Sequence, residues 1–193
     1  MALALRIAEP SDDALLAGAN VGDRAALDEL FRRYRQIAYR VAYRLLGNDA
    51  DALDAVQEGF VKTLAHLGEF QGRSSFKTWF LRIVSNAALD LGRGRGRRET
   101  LIVESRRRAL MDVVEPAAPD RGLEIEDLRL QLQRALDQLP DAQRQTFILH
   151  AEAELTYAET AQTLGISVGT VMSRLFYARQ KLRVLMDAWM KPK

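Results

Sequence analysis

The chain contains no cysteine, and its two histidines, His66 and His150, stand far apart in sequence. Disulfides are therefore excluded, and so is a zinc cage built from Cys and His. No run of about 18 consecutive apolar residues occurs, which is the length a membrane-spanning helix needs. The segment Met1–Pro10 is short and carries Glu9 where a secretory leader would be apolar, so a cytoplasmic protein without membrane insertion is expected. A large net charge is missing as well. The formal charge is +2 over 193 residues, so any nucleic-acid surface has to be a local patch. Enzyme signatures are also wanting. No catalytic triad and no metal-ligand set of convincing spacing appears, and Gly92-Arg-Gly-Arg-Gly96-Arg lacks the Gly-Lys-Ser/Thr of a phosphate-binding loop. What remains is a non-enzymatic protein with no cofactor, 48% hydrophobic and 28% charged, long enough for one or two packed domains.

What is present is helical periodicity. Leu27, Leu30, Phe31, Tyr34, Ile37, Ala38, Val41 and Leu45 recur at helical spacing until Gly47 stops the run. A second helix starts near Asp49 and is expected to bury Leu53, Val56, Phe60, Leu64 and Leu67. Its other side lines up Asp51, Asp54 and Glu58. The helix macrodipole favours Asp49 and Asp51 by about 0.3–1 kcal/mol each, but it leaves Asp54 and Glu58 unexplained. That stripe reads either as a solvated face or as a surface for a basic partner.

A third helix follows, with Phe76, Trp79, Phe80, Ile83, Val84, Ala87 and Leu91 as its apolar side and Lys77, Arg82, Ser85 and Asn86 away from it. The loop before it, Phe70-Gln-Gly-Arg-Ser-Ser75, supplies a glycine for tight geometry and a serine cap. Polar groups of such a loop beside an Arg and an Asn can hold an unstacked base; the aromatics themselves are expected in the core. Residues 95–122 read as a linker. The basic run 92–98 is interrupted by glycines, 106–108 is a second basic run, and Pro116-Ala-Ala-Pro119 cannot continue a helix; the arginines read either as solubilising charge or as groups that follow a nucleic-acid backbone.

Residues 155–185 read as two short helices around a sharp turn. Thr156 and Glu159 form a capping box, Gly165 ends the first helix, and Ser167 caps the second. In the second, Val168, Val171, Leu175, Ala178, Leu182, Leu185 and Trp189 are expected on one buried face. Thr170, Met172, Ser173, Arg174, Phe176, Tyr177, Arg179 and Lys181 then face outward, a set suited to phosphates and base edges. A helical hairpin with a solvated basic face shares this periodicity. Charge partition favours the DNA reading: residues 123–165 carry three arginines against eight carboxylates, whereas 166–193 carry six basic residues and one acid.

Taken in order, Asp51-Ala-Leu-Asp54-Ala-Val-Gln57-Glu58, Phe70-Gln-Gly-Arg-Ser-Ser-Phe76-Lys-Thr-Trp79 and Arg82-Ile-Val-Ser-Asn86 resemble the second conserved region of extracytoplasmic-function (ECF) sigma factors. Leu136-Asp-Gln-Leu-Pro140, Gln143-Arg144 and the stretch 166–175 resemble their fourth region. The resemblance implies an all-α fold of two small helical domains, 1–94 and 123–193, joined by a flexible linker. It implies that Asp51, Asp54, Gln57 and Glu58 dock on core RNA polymerase. Phe70, Gln71, Gly72, Arg73, Ser74, Lys77, Arg82 and Asn86 would capture the melted −10 element of promoter DNA. The outward set on the last helix would read the duplex −35 element, and an anti-sigma factor would be a partner. Three positions depart from the family pattern: Leu53, where a carboxylate is usual, and Met172 and Tyr177, where Lys or Arg is common. The last two predict a flatter salt dependence and more apolar contact with DNA, for example with thymine methyl groups.

Overall fold

The structure, a computed structural model, describes residues 9–106 and 124–190. Those residues form eight α-helices and no strand: α1 (Asp12–Asn20), α2 (Arg24–Leu46), α3 (Asp49–His66), α4 (Phe76–Arg106), α5 (Glu124–Asp137), α6 (Asp141–Ala151), α7 (Tyr157–Leu164) and α8 (Val168–Met190). A single 3₁₀ turn, Leu67–Glu69, links α3 to the loop before α4.

Local chemistry sets most helix ends. Ser11, Asp23 and Asn48 accept from backbone N–H groups at the starts of α1, α2 and α3, and Gly47 closes α2 in a left-handed conformation at φ 75°. The N-terminal helices then pack around an aromatic stack. Phe80 lies nearly parallel to Phe60 at 5.0 Å and to Phe76 at 5.8 Å, and Phe31 joins Phe60 at 4.3 Å. The expectation of aromatics in the core holds for this set.

The face of α3 differs from the sequence expectation. Leu53 is 58% exposed and Leu64 46%, while the buried positions are Ala52, Ala55, Val56, Gly59 and Thr63. The helix turns its small residues inward because α4 approaches so closely that a Cβ on Gly59 would stand 2.6 Å from Val84 Cγ2. Bulk is turned outward as a result.

The helix α4 is also longer than expected. It runs through the glycine–arginine repeat to Arg106, so residues 95–106 of the expected linker are helical. Each glycine costs about 1 kcal/mol in a helix, but elongation from a long packed segment needs no new nucleus, and arginine is a good helix former. The rest of the expected linker, including Pro116–Pro119, lies outside the described residues.

In the C-terminal half, α8 packs against α5, α6 and α7. Val171, Leu175, Ala178 and Leu182 are buried as the spacing predicts. The two ends of that expected face are not: Val168, the first residue of α8, is 43% exposed and Trp189, in its last turn, 39%. One apolar cluster then joins the two halves, running from Val41 and Leu45 of α2 to Leu136, Leu149 and Ala153.

Candidate nucleic-acid interface

The loop before α4 and the first turns of α4 build a cleft of about 310 Å³. Ser75 fixes the entry to α4 by accepting from the Thr78 N–H at 3.1 Å. Gly72 adopts φ 66°, which turns the loop back over the helix. Phe70 folds onto Trp79 at 5.0 Å and meets Phe76 edge-on at 6.3 Å, so the loop is anchored through its aromatic end. The Arg73 guanidinium bonds the Gln71 side chain. Phe70, Gln71, Arg73, Ser74 and Arg82 all line the cleft, with Trp79 as its apolar wall. Two cationic groups, the Glu69 carboxylate, several polar groups, Gln162 and Thr163 of α7 among them, and the indole of Trp79 thus meet in one hollow. That combination suits an unstacked base and its phosphate.

Three of the expected members, Gly72, Lys77 and Asn86, do not line the cleft. Asn86 lines a neighbouring hollow with Lys62, His66 and Asp90, and Trp79 lines both hollows. Lys77 is half-buried and lines neither. Ser85, expected away from the apolar side, is fully buried; its hydroxyl donates to the Arg82 carbonyl at 3.3 Å and accepts from Gln145 at 3.1 Å. Gln145 is about sixty residues distant in sequence, so no local pattern announces that burial.

The turn between α7 and α8 forms as its residues dictate. The Thr156 hydroxyl accepts from the Glu159 N–H at 3.2 Å, and the Glu159 carboxylate accepts from the Thr156 N–H at 2.8 Å. Those bonds favour the charged carboxylate and hold Glu159 below the usual carboxylate range, the Thr156 N–H contributing most. Gly165 is left-handed at φ 65°, and the Thr170 N–H donates to Ser167 Oγ at 3.0 Å.

On α8, Met172, Ser173, Phe176, Tyr177 and Arg179 are exposed, and Thr170 and Arg174 are half-buried. Met172 at 54%, Phe176 at 62% and Tyr177 at 53% exposure are not core residues. Met172, Phe176 and Arg179 share a shallow groove with Gln180, Arg183 and Tyr157. Tyr157 was not singled out in the sequence, because an aromatic at the first position of a short helix looks like core. Lys181 is exposed but turned back, donating to the Gln138 carbonyl.

On α3, Asp54, Gln57 and Glu58 are exposed and Asp51 is half-buried. The stripe is less bare than its sequence. Asp51 accepts from Asn48 Nδ2 at 2.8 Å in the helix cap, and Glu58 pairs with Lys62 at 2.6 Å.

A capped helix–turn–helix, a polar cleft beside an aromatic wall and an acidic helix face thus stand together in one all-helical chain of two units, the class of architecture in which the family matches fall. Residues 30–98 match the model of Sigma-70 region 2, and residues 129–182 match that of Sigma-70 region 4. The ECF RNA polymerase sigma factor SigE of Mycolicibacterium smegmatis is 38% identical over 183 residues, spanning 91% of this chain and 69% of the relative. SigM of Mycobacterium tuberculosis is 36% identical over 178 residues, spanning 92% and 86%. Among solved structures, CnrH in complex with the cytosolic domain of CnrY superposes with a TM-score of 0.71 at 27% identity, over 93% of this chain and 99% of that one. RpoE in complex with the anti-sigma factor NepR from Bartonella quintana gives a TM-score of 0.60 at 25% identity, over 82% and 97%. The chain belongs to the ECF RNA polymerase sigma factors.

Proposed function

We propose that this sigma factor docks on core RNA polymerase through the acidic face of α3, reads a −35 element with the outer face of α8, and captures a melted −10 strand at the Phe70–Arg82 cleft. The convergence of Phe70, Gln71, Arg73, Ser74, Trp79 and Arg82 on one hollow carries this reading. Asn86 and Lys77 serve from its flanks, Asn86 on bases and Lys77 on phosphate. Residues 1–94 and 123–193 act as the two binding units. The protein works in the cytoplasm on the nucleoid, and an anti-sigma factor is a further partner, as for the RpoE homologue bound to NepR.

The mechanism needs no covalent chemistry. Strand opening is driven by contacts made to the splayed strand and not to the duplex, so binding energy shifts the equilibrium toward the open complex. Cationic and polar groups of α8 fix register on the duplex, and base-edge contacts specify the sequence.

The test is to select bound sequences from a random duplex library with the chain and core polymerase, then to run off transcripts from a recovered template. Wild type yields transcripts. Asp54→Arg abolishes co-purification with core polymerase, while Asn86→Ala retains it and loses open-complex formation. Normal co-purification of Asp54→Arg refutes the docking assignment.

A further inference from the structure

Two helix faces are left uncovered among the described residues, and they complement each other. On α3, Leu53, Gln57, Val61 and Leu64 recur at spacings of four, four and three and form one exposed ridge. Asp54 and Glu58, both exposed, flank that ridge toward its N-terminal end. On α8, Met172, Phe176, Arg179 and Arg183 recur at four, three and four, are exposed as well, and share their groove with Tyr157 and Gln180. Leu53 to Leu64 and Met172 to Arg183 both span 11 steps, about 16 Å of helix. Their charges are opposite. Across α3, Asp49, Asp51, Asp54 and Glu58 stand against Lys62; across α8, Arg174, Arg179, Lys181 and Arg183 stand against Asp187. Part of that charge is already engaged, Glu58 with Lys62 at 2.6 Å, Arg183 with Asp187 at 3.8 Å and Lys181 with the Gln138 carbonyl. Both ion pairs are solvent-exposed and worth little, so they yield to the charge of a partner.

We infer that α3 of one copy and α8 of a second copy of this chain pack against each other antiparallel, so that the protein self-associates head to tail. The order of residues along the two ridges selects the direction. Run antiparallel, Met172 and Phe176 fall on Leu64 and Val61, while Arg179 and Arg183 fall beside Glu58 and Asp54. Run parallel, the two arginines would fall on Val61 and Leu64 next to Lys62, and the carboxylates would meet Met172 and Phe176. Antiparallel packing also brings opposite dipole ends together, and Leu53 lies under the methylene stem of Arg183. The apolar ends supply desolvation and the charged ends fix register. Because the two faces differ, the contact is heterologous: a pair leaves one α3 and one α8 uncovered, and it closes into a ring or adds further copies. A patch of this length is small, so the association is weak and set by concentration. Its consequence, though not the association itself, rests on the function proposed above: one copy loses its polymerase-docking face and the other its duplex-reading face. Excess sigma factor is thereby held in reserve.

Sedimentation velocity of the full chain alone tests the pairing, in about 0.1 M salt and at protein concentrations up to about 0.1 mM. The average mass of wild type should rise with concentration beyond that of one chain. Arg179→Glu with Arg183→Glu makes both faces acidic, and Asp54→Arg with Glu58→Arg makes both basic, so each double variant should associate at least about tenfold more weakly. Mixed in equal amounts, the two variants should associate again, because each reversed face now meets a reversed face of opposite sign and each native face a native one. Recovery in the mixture shows that neither variant had lost its fold. A wild type that stays monomeric throughout leaves both faces to polymerase and DNA and overturns the inference. Association that survives either reversal overturns it too, as does a mixture that stays monomeric although circular dichroism finds both variants helical. These measurements use neither polymerase nor DNA, so their failure is distinct from a failure of the transcription test of the proposed function.

Discussion

Gly59→Ala tests how α3, which carries the acidic face, is joined to α4, which carries the groups proposed to capture the strand. Two effects oppose each other. Alanine in place of a mid-helix glycine gains about 1 kcal/mol of helix propensity. The new Cβ, however, would lie 2.6 Å from Val84 Cγ2 and 3.3 Å from Val84 Cα. Val84 is fully buried and β-branched, so its side chain has one favoured rotamer in a helix and no space to leave it. Its Cα belongs to the backbone of α4. The two helices must therefore separate by several tenths of an ångström, loosening the contacts of Ala52, Ala55 and Phe80. Overpacking of a close-packed site costs about 1–3 kcal/mol, and repeated loss of dispersion contacts along the seam places this case in the upper part of that range. The net expectation is a destabilisation of about 1–2 kcal/mol, a fall of roughly 2–8 °C in Tm for a chain of this size. Thermal melts followed by circular dichroism read it directly. Val84→Ala supplies the cycle: the methyl group introduced at position 59 occupies space that the valine vacates, so the double variant should be more stable than the sum of the singles by about 1 kcal/mol or more. A Gly59→Ala protein as stable as wild type, or strictly additive singles, refutes the close-approach explanation of the small-residue face.

Two further outcomes are expected. Glu159 has a folded pKa lowered by the Thr156 N–H and hydroxyl, so its stabilisation is fully present above the ordinary carboxylate range and is lost as pH falls through the lowered value. Melts of wild type and Glu159→Ala should accordingly differ at neutral pH and converge in acid, and a gap that ignores pH contradicts the capping-box assignment. Met172→Arg with Tyr177→Arg should steepen log K against log salt for duplex binding by about 0.9 per new phosphate contact, measured by fluorescence anisotropy on a selected sequence, and an unchanged slope removes both positions from the backbone contact set.

Features that depend on a few adjacent residues were legible in the sequence. The Thr156–Glu159 box, the stops at Gly47 and Gly165 and the caps at Ser75 and Ser167 are all short-range hydrogen-bonding or φ requirements. That Phe70, Gln71, Arg73 and Ser74 lie together was legible because they share one loop, whereas the Gln162 and Thr163 side of the hollow comes from α7 and was not. The face of α3 was not. Periodicity weights large apolar residues, so it chose Leu53 and Leu64, whereas the close approach of α4 selects Ala52, Ala55 and Gly59 for their lack of bulk. Nor could sequence order separate Asn86 from Arg82, because the divider is the Trp79 ring between two hollows. The helical extension to Arg106 was hidden by glycines whose individual penalties are smaller than the advantage of continuing an established helix.

The three departures from the family pattern acquire a common physical meaning on the structure. Leu53 and Leu64 are 11 residues apart on α3, which brings them to the same side of the helix, and both are exposed beside Asp54 and Gln57. On α8, Met172, Phe176 and Tyr177 form an exposed apolar group flanked by Arg174 and Arg179. At the proposed polymerase face and at the proposed DNA face alike, a charge expected from the resemblance is replaced by apolar area. Charges at an interface act chiefly on encounter rate and partner choice, and they are screened by salt; apolar area acts through desolvation and slows dissociation. Fewer charges should therefore slow assembly, while the surfaces of Leu53, Leu64, Met172 and Phe176, once covered by a partner, lengthen residence. The balance that follows is a sigma factor whose grip on both partners weakens less as ionic strength rises than that of a relative carrying the usual charges.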